Sequence, residues 1–310
     1  ELFFVLSGYL IGGILLRTLP AGSVTTFWLR RWFRTVPAYA LFLLVNVAMS
    51  PLVLGGYYVD PTYLVFAQNL AWPMPPLMPE SWSLTIEEWS YLTLPLVLLA
   101  ALRLLPLDAR RASLVAVVGY VAAFTVARAA LVGPDVPWND GVRRVALLRL
   151  DAIGYGVLVA WAARFHGAAL ARAARPLALT GAALTAASLV GYLELTAAPG
   201  PFARVGLLGV TSLGLALLLP WCAARPAPGG RLERAVRHVS LTSYSAYLCH
   251  NALALPLTRA LVPDAPWPVG VAVYLALTGA VATAAWAWFE RPTTRLRERF
   301  APERGPATDV

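Results

Sequence analysis

Nothing limits the fold of this chain more than its long, nearly unbroken apolar runs, rich in Ala and Leu and separated by short arginine-bearing segments. A run of about 20 apolar residues crosses about 30 Å of hydrocarbon as a helix. Inside lipid every backbone polar group needs an internal partner, which leaves helices or closed barrels. The runs lack the apolar/polar alternation of barrel strands, so an all-α, polytopic helix bundle is expected. The spans fall near 2–19, 35–54, 86–106, 112–132, 145–163, 176–196, 203–223, 239–261 and 267–289, about nine in all. Charged residues are only 13% of the 310, against about 25% in soluble domains, which is too few to surround a water-facing core. The stretch 55–85 carries Gly55-Gly56, Asp60-Pro61 and the prolines from Pro73 to Pro79. Proline cannot continue a helix, so this stretch reads as an outer loop, with a re-entrant segment as the alternative.

The charge pattern gives orientation. Formal net charge is +9, and all 25 basic residues are Arg. Together with Arg17 at the end of the first span, alternate connections and the tail from 290 hold nineteen of the 25. The positive-inside rule therefore places those segments, and the C-terminus, in the cytoplasm. The same placement removes the case for nucleic-acid binding, which needs a basic face on a soluble fold. The expected location is the cytoplasmic (plasma) membrane and the expected solvent is the lipid bilayer. One membrane domain over 1–289 and a short cytoplasmic helical tail over 290–310 are expected, with no disulfide framework and no metal site. Cys222 and Cys249 read as small buried residues. The chain enters its first apolar run at Glu1 without an initiator Met, which reads as a sequence whose beginning lies upstream.

Ionisable groups in or beside a span cost about 2.5–3.5 kcal/mol at the helix centre, so each is a candidate for function. Ser81-Trp82-Ser83-Leu84-Thr85-Ile86-Glu87-Glu88-Trp89-Ser90-Tyr91 leads from the loop into a span. Either its carboxylates are held by the helix N-terminus with Trp82, Trp89 and Tyr91 as an aromatic belt, or one faces inward to handle a proton. Adjacent helical residues point about 100° apart, so Glu87 and Glu88 cannot share a face. Arg30, Arg31 and Arg34 sit at a cytoplasmic span mouth. They are plain anchors or a cradle for the phosphates of a coenzyme A thioester. Arg149 and Asp151 begin another span and pair with each other or with other helices, while Gly154 and Gly156 allow close approach. Tyr247 and His250 lie in a later span, where His250 is a proton shuttle or a hydrogen-bonded interhelical residue. His166 and His238 fall in cytoplasmic connections, and Arg128 has no evident role.

The order of these segments, from Phe3-Phe4-Val5-Leu6-Ser7-Gly8-Tyr9-Leu10 through the arginines to Pro37 and Tyr39, then Trp82–Tyr91, Arg149/Asp151, Ser243–His250 and Phe289-Glu290-Arg291-Pro292, strongly resembles acyltransferase family 3. The resemblance implies a bundle of about ten spans, one of them upstream of this chain. It implies transfer of an acyl group, chiefly acetyl, from cytoplasmic acyl-CoA as co-substrate to a hydroxyl of a sugar, envelope glycan or glycosylated metabolite. Carried over, Arg30, Arg31 and Arg34 approach the acyl-CoA phosphates. Glu87 is a catalytic candidate, and Trp82 and Ser83 line the centre. Ser7 and Gly8 make a tight helix contact near it. His250 and Tyr247 match a later motif, with His250 a second catalytic candidate and Arg149 and Asp151 lining residues. The family's leading candidate base, a His preceded by an Arg, falls just ahead of the Phe-Phe-x-x-Ser-Gly motif, upstream of residue 1. Rival readings are a polytopic transporter, which would move substrate independently of acyl-CoA, and a catalytically inactive relative.

Overall fold

The computed structural model describes residues 1–20, 23–195, 200–226 and 229–302. Eleven α-helices account for most of them: α1 (Leu2–Thr18), α2 (Val24–Leu54), α3 (Trp82–Leu104), α4 (Ala109–Leu131), α5 (Asp151–Leu195), α6 (Pro201–Val205), α7 (Leu207–Ala223), α8 (Gly230–Cys249), α9 (Leu255–Leu261), α10 (Trp267–Ala285) and α11 (Arg291–Phe300). No strand occurs among the described residues. Among the described residues, five helical stretches are long and apolar enough to cross a membrane: Val24–Leu54, Pro79–Leu104, Ala109–Leu131, Asp151–Leu193 and Trp267–Phe300. The shorter helices Leu2–Thr18 and Leu207–Ala223 are also apolar.

Some boundaries differ from expectation. The arginine segment 24–34 is not a connection but the first turns of α2, which runs through Pro37 and Pro51. The segment 164–175, expected as a loop, is helical as well. Two expected spans meet directly in α5 at a kink, where His166 takes φ −138° and ψ 30°. Expected span 145–163 starts late, because 146–148 form a 3-10 turn and α5 begins at Asp151. The loop 55–81 is irregular as expected, with short 3-10 turns at Pro61–Val65 and Pro79–Ser81. The expected outer connection 197–201 lies outside the described residues up to 199, as does the tail beyond 302.

The chain forms two compact units. The first comprises Glu1–Val24, Phe66–Met74 and Trp82–Pro226. Its centre is α5, which packs against α1, α4 and α7. Glycine makes the α1–α5 seam possible. A Cβ on Gly8 would sit 2.0 Å from the Ile153 carbonyl oxygen, and one on Gly156 would sit 2.0 Å from that of Val5. Both backbones therefore touch without intervening side chains, the small-residue packing expected of helices in lipid.

The second unit comprises Thr25–Val65, Pro75–Ser81 and Ala227–Val310. Here α8 packs on α10, and the Tyr244 hydroxyl donates to the Thr35 carbonyl of α2 at 3.1 Å. The tail is anchored rather than frayed over α11: Phe300 stacks on Phe33 with ring centroids 5.3 Å apart. Tyr39 of α2 donates to the Tyr63 carbonyl of the loop at 3.0 Å, and Tyr63 donates to that of Leu77. Burial of Tyr63 pushes its hydroxyl pKa above the ordinary tyrosine value.

Candidate active site

In the first unit, the start of α3 is fixed by a residue the sequence did not single out for function. Asn69, fully buried, donates from its amide to the carbonyls of Trp82 (3.0 Å) and Arg144 (2.5 Å), and accepts from Thr85 (2.5 Å). Its own carbonyl accepts from the Ala146 amide at 2.9 Å. One side chain thus ties the outer loop, the first turn of α3 and the approach to α5. Nothing in a lone Asn-bearing loop motif signals this, because its partners lie up to 75 residues away.

From that fixed start, Glu87 and Tyr91 fall one helical turn apart on one face. Tyr91 donates to Glu87 Oε2 at 2.9 Å, and the Ser7 and Tyr91 hydroxyls are 2.5 Å apart. A tyrosine hydroxyl has one proton. With that proton on Glu87, Ser7 is the donor to Tyr91, giving the directed chain Ser7→Tyr91→Glu87. Of the two expected readings of this segment, Tyr91 departs from the aromatic belt: it is buried inside the unit. Trp89 donates to the Phe66 carbonyl at 2.9 Å. Glu88 is more deeply buried than Glu87. Ser83 lies half-buried on the first turn of α3. Trp82 meets Phe4 edge-on at 5.8 Å, and its face carries the Arg143 guanidinium at 4.8 Å.

Arg149 and Asp151 do not pair with each other. Arg149, with no exposed surface, pairs with Glu1 and donates to the Arg143 carbonyl at 3.1 Å. The other Glu1 oxygen accepts from Ser212 at 2.8 Å. Asp151 instead receives a two-pronged pair from Arg128, at 3.0 and 2.8 Å, with Thr125 adding a third donor at 3.2 Å. Arg128 also donates to the carbonyls of Leu148 (2.5 Å) and Val205 (3.0 Å). The role missing for Arg128 in the sequence is therefore structural, tying α4 to the start of α5.

In the second unit, Arg30 grips Glu298 through two nitrogens, at 3.1 and 3.3 Å, and donates to the Ala301 carbonyl at 2.7 Å. Arg31 is half-buried and Arg34 exposed on the same helix. The structure thus brings Arg30 onto the tail helix. It also gathers Tyr247, His250 and two residues the sequence did not flag, Glu80 and Asn251. Tyr247 donates to the Glu80 carbonyl, and Asn251 donates to Glu80 Oε2 at 2.9 Å. His250 Nδ1 lies 2.7 Å from the Tyr247 carbonyl. A carbonyl cannot donate, so Nδ1 carries the proton and a neutral ring keeps its lone pair on Nε2. A π-turn over His250–Ala254 interrupts the helix here, a feature frequent at functional sites. Cys249 is buried, whereas Cys222 is exposed, contrary to expectation. His238 bonds to Thr283 at 3.1 Å.

Residues 1–288 match the family described as an acyltransferase domain. A peptidoglycan O-acetyltransferase, OatA of Listeria monocytogenes, is 33% identical over 123 residues, covering 33% of this chain and 20% of that protein. The chain therefore aligns with about one fifth of that relative's length. No solved structure matches. Because the family match runs nearly end to end, this chain belongs to acyltransferase family 3.

Proposed function

We propose that this chain is the membrane-embedded transferase domain of an O-acyltransferase, crossing the bilayer about nine times with its C-terminus in the cytoplasm. It moves an acyl group, by this reading acetyl, from acyl-CoA to a hydroxyl of a sugar, envelope glycan or glycosylated metabolite. Family membership and the likeness to a protein named as a peptidoglycan O-acetyltransferase support the reaction class. The exposed apolar faces support a lipid setting: α10 buries only Ala282, and Trp267 and Trp288 are about four-fifths exposed. Side chains of this kind belong against lipid rather than water.

The observation that carries the reading is the directed chain Ser7→Tyr91→Glu87. It holds a carboxylate at the head of a span, where a proton acceptor has use. In the proposed step the acceptor hydroxyl gives its proton to the base and its oxygen attacks the thioester carbonyl. Collapse of the tetrahedral oxyanion breaks the C–S bond, and the coenzyme A thiolate leaves to be protonated. Glu87 steers the proton, and His250, with Nε2 basic, is a second proton-handling group. Arg30, Arg31 and Arg34 take the phosphates of acyl-CoA. That assignment requires Arg30 to exchange Glu298 for phosphate, a like-for-like swap of bidentate anions.

The test uses membranes carrying the full-length protein and radiolabelled acetyl-CoA, with label followed into water (as acetate) and into envelope glycans. Glu87→Gln keeps the shape and an acceptor for Tyr91 but removes the base. Turnover is expected to fall at least about 100-fold, the usual scale for general base catalysis. Undiminished turnover in Glu87→Gln removes Glu87 from the chemistry. Solute flux that needs no acyl-CoA would favour the transporter reading instead.

A further inference from the structure

Six of the 25 arginines lie outside the cytoplasmic set: Arg128, Arg143, Arg144, Arg149, Arg204 and Arg259. Outer arginine runs against the positive-inside tendency, so each invites an account. Five belong to the first unit, and four of those five are occupied. Arg128 holds Asp151, Arg149 holds Glu1, and Arg144 pairs with Asp140 at 3.1 Å. Arg204 caps the loop carbonyls of Gly133, Pro134 and Val136.

Arg143 differs. A π-turn over Trp138–Arg143 places it one turn beyond Asn139, whose side-chain oxygen accepts from Nε at 2.9 Å. That bond holds the guanidinium over the Trp82 ring, 4.8 Å from its centre. Neither terminal nitrogen has a hydrogen-bond partner among the described residues, and no carboxylate there lies within ion-pair distance. Of the charges that face it, Glu1 is committed to Arg149, while Arg144 and Arg149 repel it. Burial, reinforced by those two arginines and opposed by Tyr192 and Glu1, lowers its pKa from the ordinary arginine value. A guanidinium edge presents two parallel donors to a planar or tetrahedral anion.

We propose that Arg143 is an anion-binding residue of the acceptor subsite, taking a carboxylate or phosphate carried by the acceptor beside the face of Trp82. The role as acceptor subsite rests on the acyl-transfer reading; the anion site itself does not. Trp82 lies five residues before Glu87 on the same helix, about 7.5 Å along its axis at 1.5 Å per residue. Arg143 and Glu87 both act electrostatically on the amino group of Glu1, so a molecule whose anionic substituent is held at Arg143 has its hydroxyls within reach of the Glu87 side. Asn139 is the positioning residue, since it sets the rotation of the guanidinium.

The experiment measures binding without acyl-CoA, so it succeeds or fails apart from catalysis. Saturation-transfer NMR compares glucuronate, glucose 6-phosphate and glucose on the full chain in phosphatidylcholine nanodiscs at low salt, with and without added phosphatidylglycerol. The expected result is at least tenfold tighter binding of the two anionic sugars than of glucose. That preference is lost in Arg143→Gln, clearly weakened in Arg143→Lys, which keeps the charge but loses the fork and the Asn139 bond, and reduced by salt. Circular dichroism and melting of both variants establish folding, and Arg143→Lys carries the test if Arg143→Gln does not fold. Equal binding of the three sugars, or an unchanged preference in Arg143→Gln, overturns the proposal. So does an anionic-sugar preference that phosphatidylglycerol abolishes in the wild type, since the anion held would then be a lipid headgroup.

Discussion

The two units show two ways of holding an inward carboxylate. In the first unit Asp151 is met by the forked Arg128 and Glu1 by Arg149, both carrying full positive charge. In the second, Glu80 is met by the Asn251 amide and Glu290 by the Ser245 hydroxyl at 2.7 Å. A buried ion pair is rigid and intolerant, because removing either partner leaves an uncompensated charge. A carboxyl held by neutral donors survives loss of charge with its hydrogen bonds largely intact. The comparison suggests a division of labour. The first unit uses electrostatics to fix the ends of α1, α4 and α5 around the Ser7→Tyr91→Glu87 chain. The second keeps polar groups that can exchange partners.

The sharpest way to break this contrast is at Asp151. Asp151→Ala strands Arg128, which is wholly buried, and is expected to cost about 3–5 kcal/mol. Thermal melting in detergent measures it. The double variant Arg128→Met/Asp151→Leu removes both charges and is expected to recover most of the loss, since well-packed apolar pairs often match buried ion pairs. A double variant as unstable as the single one would show that the carbonyl contacts of Arg128, not its charge pairing, matter.

The second prediction concerns the seam that brings the charged ends together. Gly8→Val places atoms where the Ile153 carbonyl already lies, and backbone cannot yield as a side-chain tip does. A loss of at least about 1–3 kcal/mol is expected, with acyl-transfer activity falling along with it if the proposed role of Glu87 holds, because Ser7 and its bond to Tyr91 move with α1. Gly13, whose added Cβ would meet only the end of Arg17 at 3.7 Å, is the control: Gly13→Ala should leave melting almost unchanged. Were Gly8→Val equally silent, the α1–α5 approach would be looser than the seam described.

Much of this was legible in the residues. Apolar runs gave the helices, the prolines of 73–79 gave the loop, and Gly156 gave a close helix approach, since each of these depends on local physics. The contact at Gly8 came from the family resemblance, and Gly154 faces Val121 of α4 instead. The pairings were not legible. Arg128 and Asp151 are 23 residues apart and Glu1 and Arg149 148 apart, so their meeting depends on how helices rotate against one another. One pairing could have been excluded in advance: residues two apart on a helix do not face each other, which bars Arg149 from Asp151 within one helix. The loop at 164–175 failed for a different reason. Ala-rich sequence keeps its helical propensity through charged residues, so α5 bends at His166 instead of breaking.

The smallest expected effect tests the neutral side of the contrast, at Glu80. Glu80→Gln keeps the volume and an oxygen for the Asn251 amide, and the Tyr247 hydroxyl bonds to the main chain of residue 80, which the change does not touch. Stability should therefore shift by less than about 1 kcal/mol, within the worth of one ordinary hydrogen bond. Glu80→Leu is the contrasting variant: it leaves the Asn251 amide without its acceptor, and about 1–3 kcal/mol is expected to be lost. The ratio between the two variants matters more than either value. If Glu80→Gln costs as much as Asp151→Ala, the second unit also depends on a negative charge, and His250, which acts on Glu80 electrostatically, becomes its counter-ion. If Glu80→Gln is silent while Glu80→Leu is not, hydrogen bonding rather than charge holds residues 80, 247 and 251 together, and His250 is left with Nε2 uncommitted.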